Sequence, residues 1–506
     1  MDGMVGLNTS ARRKILIRAD AGGFTGTGHV MRMMALAQAC LRRGIKVVIA
    51  SIRCPQNLGD QLHASGIEHV HIEVSEPGNE EDSDATISLA REMGADWLVV
   101  DGYHFGYDYQ KRIKKADLAL LCVDDHGYSD RWCCDAILNQ NLDAERSIKY
   151  QNDFVKPKIL AGASFCLLRE EFLKDRPSRA KWGRIERLLV TLGGSDPENA
   201  TKAALELLNQ ACARSLRIRI LAGADNQNVE TLRSSESHHQ VEVVQNASNM
   251  PEQYAWADGI ISAGGSTCWE WLYLGLPGAI VTIADNQCPI VRALTEERRA
   301  ALSLGLFNGS SFGANTKQLS KWIDTPAALC EAPVATGIID GFGANRVAGF
   351  LSGSKVILRE AKSEDSDQYF VWVNNPEVRK NSFSHDPISK DAHARWFSNR
   401  INTSYSCLLV VVDFEGNDLG QVRFDFDEQK QGWIVDFSID SSFRGGGYGK
   451  AALLEALLWI RQKHEGRLLI LADVLEINPV SKRLFSRLGF KRISSGDCYS
   501  SYSRTL

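Results

Sequence analysis

The chain has 506 residues, 44% of them hydrophobic, and 58 Lys and Arg against 62 Asp and Glu give a net charge of −4. That length suits two to four globular domains; the slight acidity predicts no attraction to nucleic acid or an anionic membrane, and no segment has the roughly 18 to 20 apolar residues of a membrane span or the pattern of a signal peptide. Its 12 cysteines are scattered apart from Cys133-Cys134 and form no C-x-x-C pair, which leaves zinc and thioredoxin-like readings without support and fits a reducing cytoplasm.

In chain order, KILIRAD (14–20) reads as a buried strand. HVMRMMALAQACLRRG (29–44) then has apolar residues at helical spacing, with Gly44 as its C-cap. KVVIAS (46–51), DWLVVDGY (96–103) and LALLCVDD (118–125) continue as strands and turns. Short apolar strands alternating with helices predict a parallel, doubly wound sheet. A second block repeats the theme in RLLVTLGGSDPENATKAALELLNQ (187–210), LRIRILAG (216–223), VEVVQNA (241–247) and ADGIISAGGSTCWEWLYLGLPGAIV (257–281). Residues 12–175 and 176–352 are therefore expected to be two Rossmann-like halves facing each other. Near residue 352 the pattern changes. VILREA (356–361), a hairpin-like pair over 408–426, GWIVDFSID (432–440) and a strand-turn-helix over 468–490 predict an α+β domain over 355–506.

The first Gly-rich turn, GFTGTGHV (23–30), is nearly a phosphate-binding loop, but His29 and Val30 replace its lysine and its Ser/Thr. A strand, turn and helix aim backbone N–H groups and the positive helix end into the crevice at the sheet's C-terminal edge. The dipole there disfavours imidazolium, so a neutral imidazole is expected, the form a general base needs. A helix-start histidine bonded to a carbonyl is the plainer alternative. In GGST (264–267), the N–H groups of Gly265, Ser266 and Thr267 can face a diphosphate, and Glu270, one turn on, can accept from ribose hydroxyls. Here the plainer alternative is a capping box between Thr267 and Glu270. Asp20, Asp101, Asp124 and Asp125 supply carboxylates whose pairing the sequence does not show.

RAD…GTGH, DDHGYSDRWCCDAILNQN (124–141), LAGASFCLLREEF (160–172), VTLGGSDPENAT (190–201), NM (249–250), ISAGGSTCWEWLYLGLPGAIV (261–281), ADNQ (284–287) and DGFGANRV (340–347) occur in this order. Over residues 12–352 this resembles the UDP-sugar hydrolases of pseudaminic acid biosynthesis, which look like GT-B glycosyltransferases. The resemblance implies hydrolysis of UDP-2,4-diacetamido-2,4,6-trideoxy-β-L-altropyranose to UDP and the free sugar, with His29 as base. UDP is a good leaving group, so the chemistry needs no metal, and water attacking the anomeric carbon from the opposite face predicts inversion. The resemblance also implies substrate contacts at Asp20, Gly28, Tyr103, Gly194, Ser195, Met250, Gly265, Ser266, Thr267, Glu270, Asn286 and Gln287.

FRGGGYGKAALLEAL, with the strand VDFSID before it and VLEINPVSKRLFSRLGF after it, resembles the GNAT acetyltransferases. The resemblance implies acetyl-CoA held by Phe437, Ile439, Arg444, Gly445, Gly447, Tyr448, Gly449, Lys450, Asn478 and Ser481. WVNNPEVRKNSFSHDPISKDAHARWF (372–397) resembles the N-acetyltransferase acting on the 4-amino group of the hydrolase's precursor, which implies a UDP-linked amino sugar as partner substrate. Phe485 stands where many GNAT enzymes have an acidic tyrosine, and phenylalanine has no proton to donate. Tyr448, Ser481 and Glu476 are weak substitutes. A legionaminic-type precursor, or a GT-B glycosyltransferase with an attached acetyl-CoA-binding module, remains an alternative.

Overall fold

The computed structural model describes residues 13–506 except 23–25, 143, 145–149, 151–155, 175–181, 195, 224–225, 248, 332–336, 402 and 465. Residues 12–347 and 348–506 fall into two compact units.

The first unit opens with strands β1 (Lys14–Ala19), β2 (Lys46–Ser51), β3 (Glu68–His71), β4 (Trp97–Asp101), β5 (Leu120–Val123), β6 (Ala136–Asn139) and β7 (Lys158–Ala161). They form one sheet in the order β3-β2-β1-β4-β5-β6-β7, with every pair parallel. Helices cover both faces of such a sheet, so its strands are apolar without alternation: Ile15, Leu16 and Ile17 are all fully buried. The chain winds outward from β1 to β3 and then returns to place β4 on the other side of β1. This order reversal opens a crevice at the C-terminal ends of β1 and β4.

The same unit holds a second parallel sheet made of β8 (Arg187–Thr191), β9 (Arg217–Ala222), β10 (Gln240–Gln245), β11 (Gly259–Ala263), β12 (Gly278–Thr282) and β13 (Ala301–Leu306). Its order, β10-β9-β8-β11-β12-β13, reverses between β8 and β11. Two apolar clusters flank it, one around Leu208 and Trp322 and the other around Tyr254, Trp269 and Trp271. Close packing fixes Gly278 in β12, where a Cβ would come within 2.5 Å of the Trp271 ring.

In the second unit, β14 (Ile357–Glu360), β15 (Ser406–Val412), β16 (Asp418–Asp427), β17 (Gly432–Ile439), β18 (Leu469–Leu475), β19 (Lys491–Ser495) and β20 (Tyr499–Thr505) form a sheet ordered β14-β15-β16-β17-β18-β20-β19. All neighbours are antiparallel except β17 and β18. That parallel pair is joined at Trp433 with Ile470 and Ile434 with Leu471. Beyond these pairs the two strands carry no mutual register, and the sheet splays from Val435 to Ile439.

Candidate active site

His29 is the second residue of the helix Gly28–Arg42, which follows β1 at the switch point of the first sheet. Its ring is buried, and Nδ1 lies 2.7 Å from Asp101 Oδ1. Asp101 ends β4 directly beside Ala19 at the end of β1, so the register of two neighbouring strands sets this pair. One helical turn after His29, Arg32 donates from Nε to Asp101 Oδ2 and from Nη2 to Oδ1, both at 2.6 Å. Its third arm, Nη1, reaches Asp125 Oδ1 at 2.6 Å. The Tyr103 hydroxyl donates to Asp125 Oδ2 at 2.8 Å, and its ring meets the His29 ring edge to face at 5.2 Å.

Burial pushes the Asp101 carboxyl up, but Arg32 and His29 more than reverse this and hold it at about 2. Asp125 is likewise lowered, with burial opposed by the Arg32 guanidinium. Facing a carboxylate at 2.7 Å, Nδ1 is the nitrogen that carries the proton in a neutral His29 ring, the tautomer that leaves Nε2 as lone-pair acceptor. Arg32 Nη2, 3.2 Å from Nδ1, is then a second donor and forms no bond with it. Burial and the Asp125 charge raise the Tyr103 hydroxyl above its ordinary value, so it keeps its proton.

Asp20 has a different set of partners. Its Oδ1 accepts from Ile52 and Arg53 amides at 2.7 and 3.0 Å, which fastens the chain after β2. Its Oδ2 lies 2.8 Å from Arg18 and 3.5 Å from His104. The nearby Gly28 is exposed, with open space where a Cβ would stand. Asp124 shapes the loop that presents Asp125, accepting from the Gly127 amide and the Tyr150 hydroxyl.

At the second switch point, the turn after β11 leads into the helix Thr267–Tyr273, whose N-cap residue is Ser266. No side chain caps this helix, so the capping box does not form. Glu270 turns instead to tertiary partners: the Tyr254 hydroxyl at 2.7 Å and Arg169 Nη2 at 3.5 Å. Burial raises the Glu270 carboxyl, against the pull of Arg169 and Tyr254. The other arm of Arg169 is held by Glu171 at 2.6 Å, and its guanidinium lies over the Phe172 ring. Gly265 and Gly194 have open space at their Cβ positions, whereas a Cβ on Gly264 would meet Val291 at 2.5 Å and Gln287 at 3.2 Å. That close approach seats the turn Asp285–Gln287 beside 264–267, with Asn286 exposed and the Gln287 amide oxygen accepting from Ile283 N at 3.0 Å. Met250 opens the helix Met250–Trp256 and packs against the Tyr254 cluster. Ser195 lies outside the described residues.

Sequence reasoning missed Arg32, Arg169 and Tyr254. Arg32 had a signal: a cation three residues from His29 on an otherwise apolar helix needs a buried anion. Arg169 and Tyr254 had none, since each meets Glu270 only through tertiary packing. Replacing Arg169 with Met is expected to weaken binding of a ribonucleotide about tenfold or more, because a charged hydrogen-bond partner of Glu270 is lost. The check is titration calorimetry with UDP and its 2′- and 3′-deoxy forms; the variant should discriminate less among the three than the unaltered chain does.

In the second unit, the turn after β17 precedes the helix Tyr448–Lys463. Gly445 and Gly447 have φ of 85° and 82°, which glycine adopts freely, and a Cβ on either would meet nothing within 4 Å. Such a turn leaves exposed backbone N–H groups at a helix start, which fits a pyrophosphate such as that of acetyl-CoA. Tyr448 and exposed Lys450 lie in the first helical turn, with Gly449 between them facing Phe437 and Ile439. Arg444 donates to the Ile439 carbonyl at 2.9 Å and pairs with Glu377 at 2.7 Å. Asn478 caps the helix Pro479–Arg487 by accepting from Ser481 N at 3.0 Å. Phe485 is buried among Phe437, Phe490 and Tyr502. Glu476 is taken up by Lys482 and Ser500. No cluster of three or more potential metal ligands and no helix long and apolar enough to cross a membrane occurs among the described residues.

Residues 188–296 match the glycosyltransferase family 28 C-terminal domain, and residues 355–491 match the acetyltransferase (GNAT) domain. The chain is 23% identical over 497 residues to an uncharacterized protein of Methanocaldococcus jannaschii, covering 96% of this chain and 98% of that one. It is 23% identical to a spore coat polysaccharide biosynthesis protein of Bacillus subtilis, covering 66% of this chain and 96% of the relative. It is 24% identical to the UDP-2,4-diacetamido-2,4,6-trideoxy-β-L-altropyranose hydrolase of Campylobacter jejuni, covering 54% of this chain and 93% of the relative. The fold is thus a GT-B-type pair of parallel sheets followed by a GNAT domain. The chain is an enzyme with a hydrolase-like region and an acetyltransferase region.

Proposed function

We propose that the chain performs two consecutive steps on a UDP-linked amino sugar in the cytoplasm, as part of pseudaminic acid biosynthesis. The GNAT domain acetylates the 4-amino group of UDP-4-amino-4,6-dideoxy-N-acetyl-β-L-altrosamine. The GT-B-type region then hydrolyses the UDP-2,4-diacetamido-2,4,6-trideoxy-β-L-altropyranose so formed to UDP and the free sugar. Similarity to the Campylobacter jejuni hydrolase supports the choice of sugar.

The observation that carries the hydrolytic step is the His29–Asp101 pair at the first switch point. With the Nδ1 proton fixed on Asp101, Nε2 takes a proton from a water as the water's oxygen bonds to the anomeric carbon. The bond from that carbon to the diphosphate oxygen breaks, and its electron pair leaves with UDP. Backbone N–H groups of the turn 265–267 meet that charge, while Glu270, fixed by Tyr254 and Arg169, accepts from the ribose. Attack opposite the leaving group inverts the configuration. In the other domain, acetyl-CoA supplies an activated acetyl group as a thioester. The turn 444–449 would hold its pyrophosphate, and Phe437 and Ile439 would flank the arm leading to the splay between β17 and β18.

The test is incubation with the UDP-4-amino sugar and acetyl-CoA, followed by mass spectrometry. The expected order is one acetyl gained on the nucleotide sugar, then release of UDP. UDP release from the unacetylated sugar at an equal rate would contradict that order.

A further inference from the structure

We infer that Tyr502 on β20 supplies the proton that the sulfur of coenzyme A takes up on acetyl transfer, a proton that Phe485 does not have. This rests on the acetyl-transfer half of the proposed reading and not on which amine is the acceptor.

Phe485 lies on the helix Pro479–Arg487. Its ring meets Phe437 of β17 edge to face at 6.0 Å and lies 24° from parallel with the Tyr502 ring, the centroids 6.3 Å apart. Strand register brings Tyr502 there. In the antiparallel pair of β18 and β20, Tyr502 stands opposite Ala472, and the pairs two residues away are Ile470 with Arg504 and Val474 with Ser500. Alternate residues of a strand share a face. Trp433 pairs with Ile470, so Tyr502 and Ala472 share the face that carries Trp433, Val435 and Phe437. Ala472 is also the first residue of β18 beyond its last pair with β17, Ile434 with Leu471. On this face, then, the β18 side chain between Tyr502 and the start of the splay is a single methyl group.

Tyr502 is 5% exposed, and its hydroxyl makes no hydrogen bond among the described residues. A phenol in this position has a proton to give and no partner that claims it. The neighbouring hydroxyls are engaged or turned away. Tyr499 and Ser501 lie on the other face of β20, against Phe383 and Asp473. Ser500 donates to Glu476, whose second oxygen is taken by Lys482. Tyr448 stands at the pyrophosphate turn, where its ring meets Phe443.

The step balances. The amine nitrogen bonds to the thioester carbonyl carbon, the carbon–sulfur bond breaks, and its electron pair stays on sulfur, which takes the Tyr502 proton. The tyrosinate regains a proton from water, and water receives the one that the amine loses.

The experiment compares the full chain with its Tyr502→Phe form, which keeps the ring and its packing. With acetyl-CoA and the UDP-linked amino sugar, kcat for thiol release is expected to fall about ten- to a hundredfold, at the low end for a general acid because a thiol leaves readily. The KM for acetyl-CoA should be nearly unchanged. Calorimetry gives a readout apart from turnover. The unaltered chain should bind CoA several-fold more tightly than desulfo-CoA, about as a lost hydrogen bond would dictate, and the variant should bind the two alike. An unaltered kcat in the variant overturns the assignment, as does a ratio of the two affinities that is the same in both chains. Failure of the unaltered chain to acetylate the amino nucleotide sugar contradicts the proposed function, and the calorimetric comparison then still decides the role of Tyr502.

Discussion

Replacing His29 with Ala is expected to slow UDP release by about a hundred- to ten-thousand-fold, the usual worth of a positioned general base. Acetyl transfer should continue at the rate of the unaltered chain. At the first switch point the His29 ring is oriented by a fixed partner, with Nδ1 tied to Asp101 at 2.7 Å, which leaves Nε2 of the neutral ring as a lone-pair acceptor. Because the lost interaction acts only as water attacks, kcat and kcat/KM should fall together and the affinity for UDP should hold. Coupled assays of UDP release and of thiol release, run on the same preparation, separate the two halves of this expectation. UDP release at the unaltered rate would remove His29 from the mechanism.

Asp101→Asn should be nearly as damaging, and for a different reason. The amide can present N–H to the ring, which places the proton on Nε2 and takes away the acceptor that water needs. It also leaves Arg32 facing one buried carboxylate, Asp125, where it had faced two. Breaking a buried ion pair in this way costs roughly 3–5 kcal/mol. The pH dependence has a definite sign. Asp101 titrates at about 2 in the folded chain against 3.8 ordinarily, so the unfolded chain binds the proton first as pH falls. Its contribution, roughly 2 kcal/mol for this fully buried group, is complete above about pH 4 and disappears as pH falls through about 2. The melting temperatures of the unaltered chain and the variant should therefore differ most near neutrality and converge between pH 4 and 2. A gap that stays constant over that window would show that Asp101 carries no such linkage.

What could be read from the sequence follows the range of the interactions. KILIRAD and KVVIAS are strands buried on both faces, so their uninterrupted apolar runs mark them locally, and Gly44 ends the intervening helix with a φ of 75°. The Gly-rich turns were legible for the same reason: positive φ and open Cβ space at Gly445 and Gly447 are demands on single residues. The partner of His29 was not legible. Asp101 was one of four candidate carboxylates, and only the parallel register of Ala19 with Asp101 brings it to the ring. Thr267 and Glu270 illustrate the opposite failure. Their spacing satisfies a local capping pattern, but Glu270 finds stronger tertiary partners in Tyr254 and Arg169, and the pattern goes unused. In sequence Phe485 marks a missing acid; in the fold it is an aromatic core residue whose ring packs with Phe437, Phe490 and Tyr502.

The central claim is that water, deprotonated by His29, attacks the anomeric carbon. Hydrolysis of UDP-2,4-diacetamido-2,4,6-trideoxy-β-L-altropyranose in water enriched in oxygen-18, monitored by NMR before the sugar mutarotates, tests it directly. The expected product is free sugar labelled on its anomeric oxygen, of inverted configuration, beside unlabelled UDP. Label in the UDP, or a retained anomeric configuration, would contradict the account.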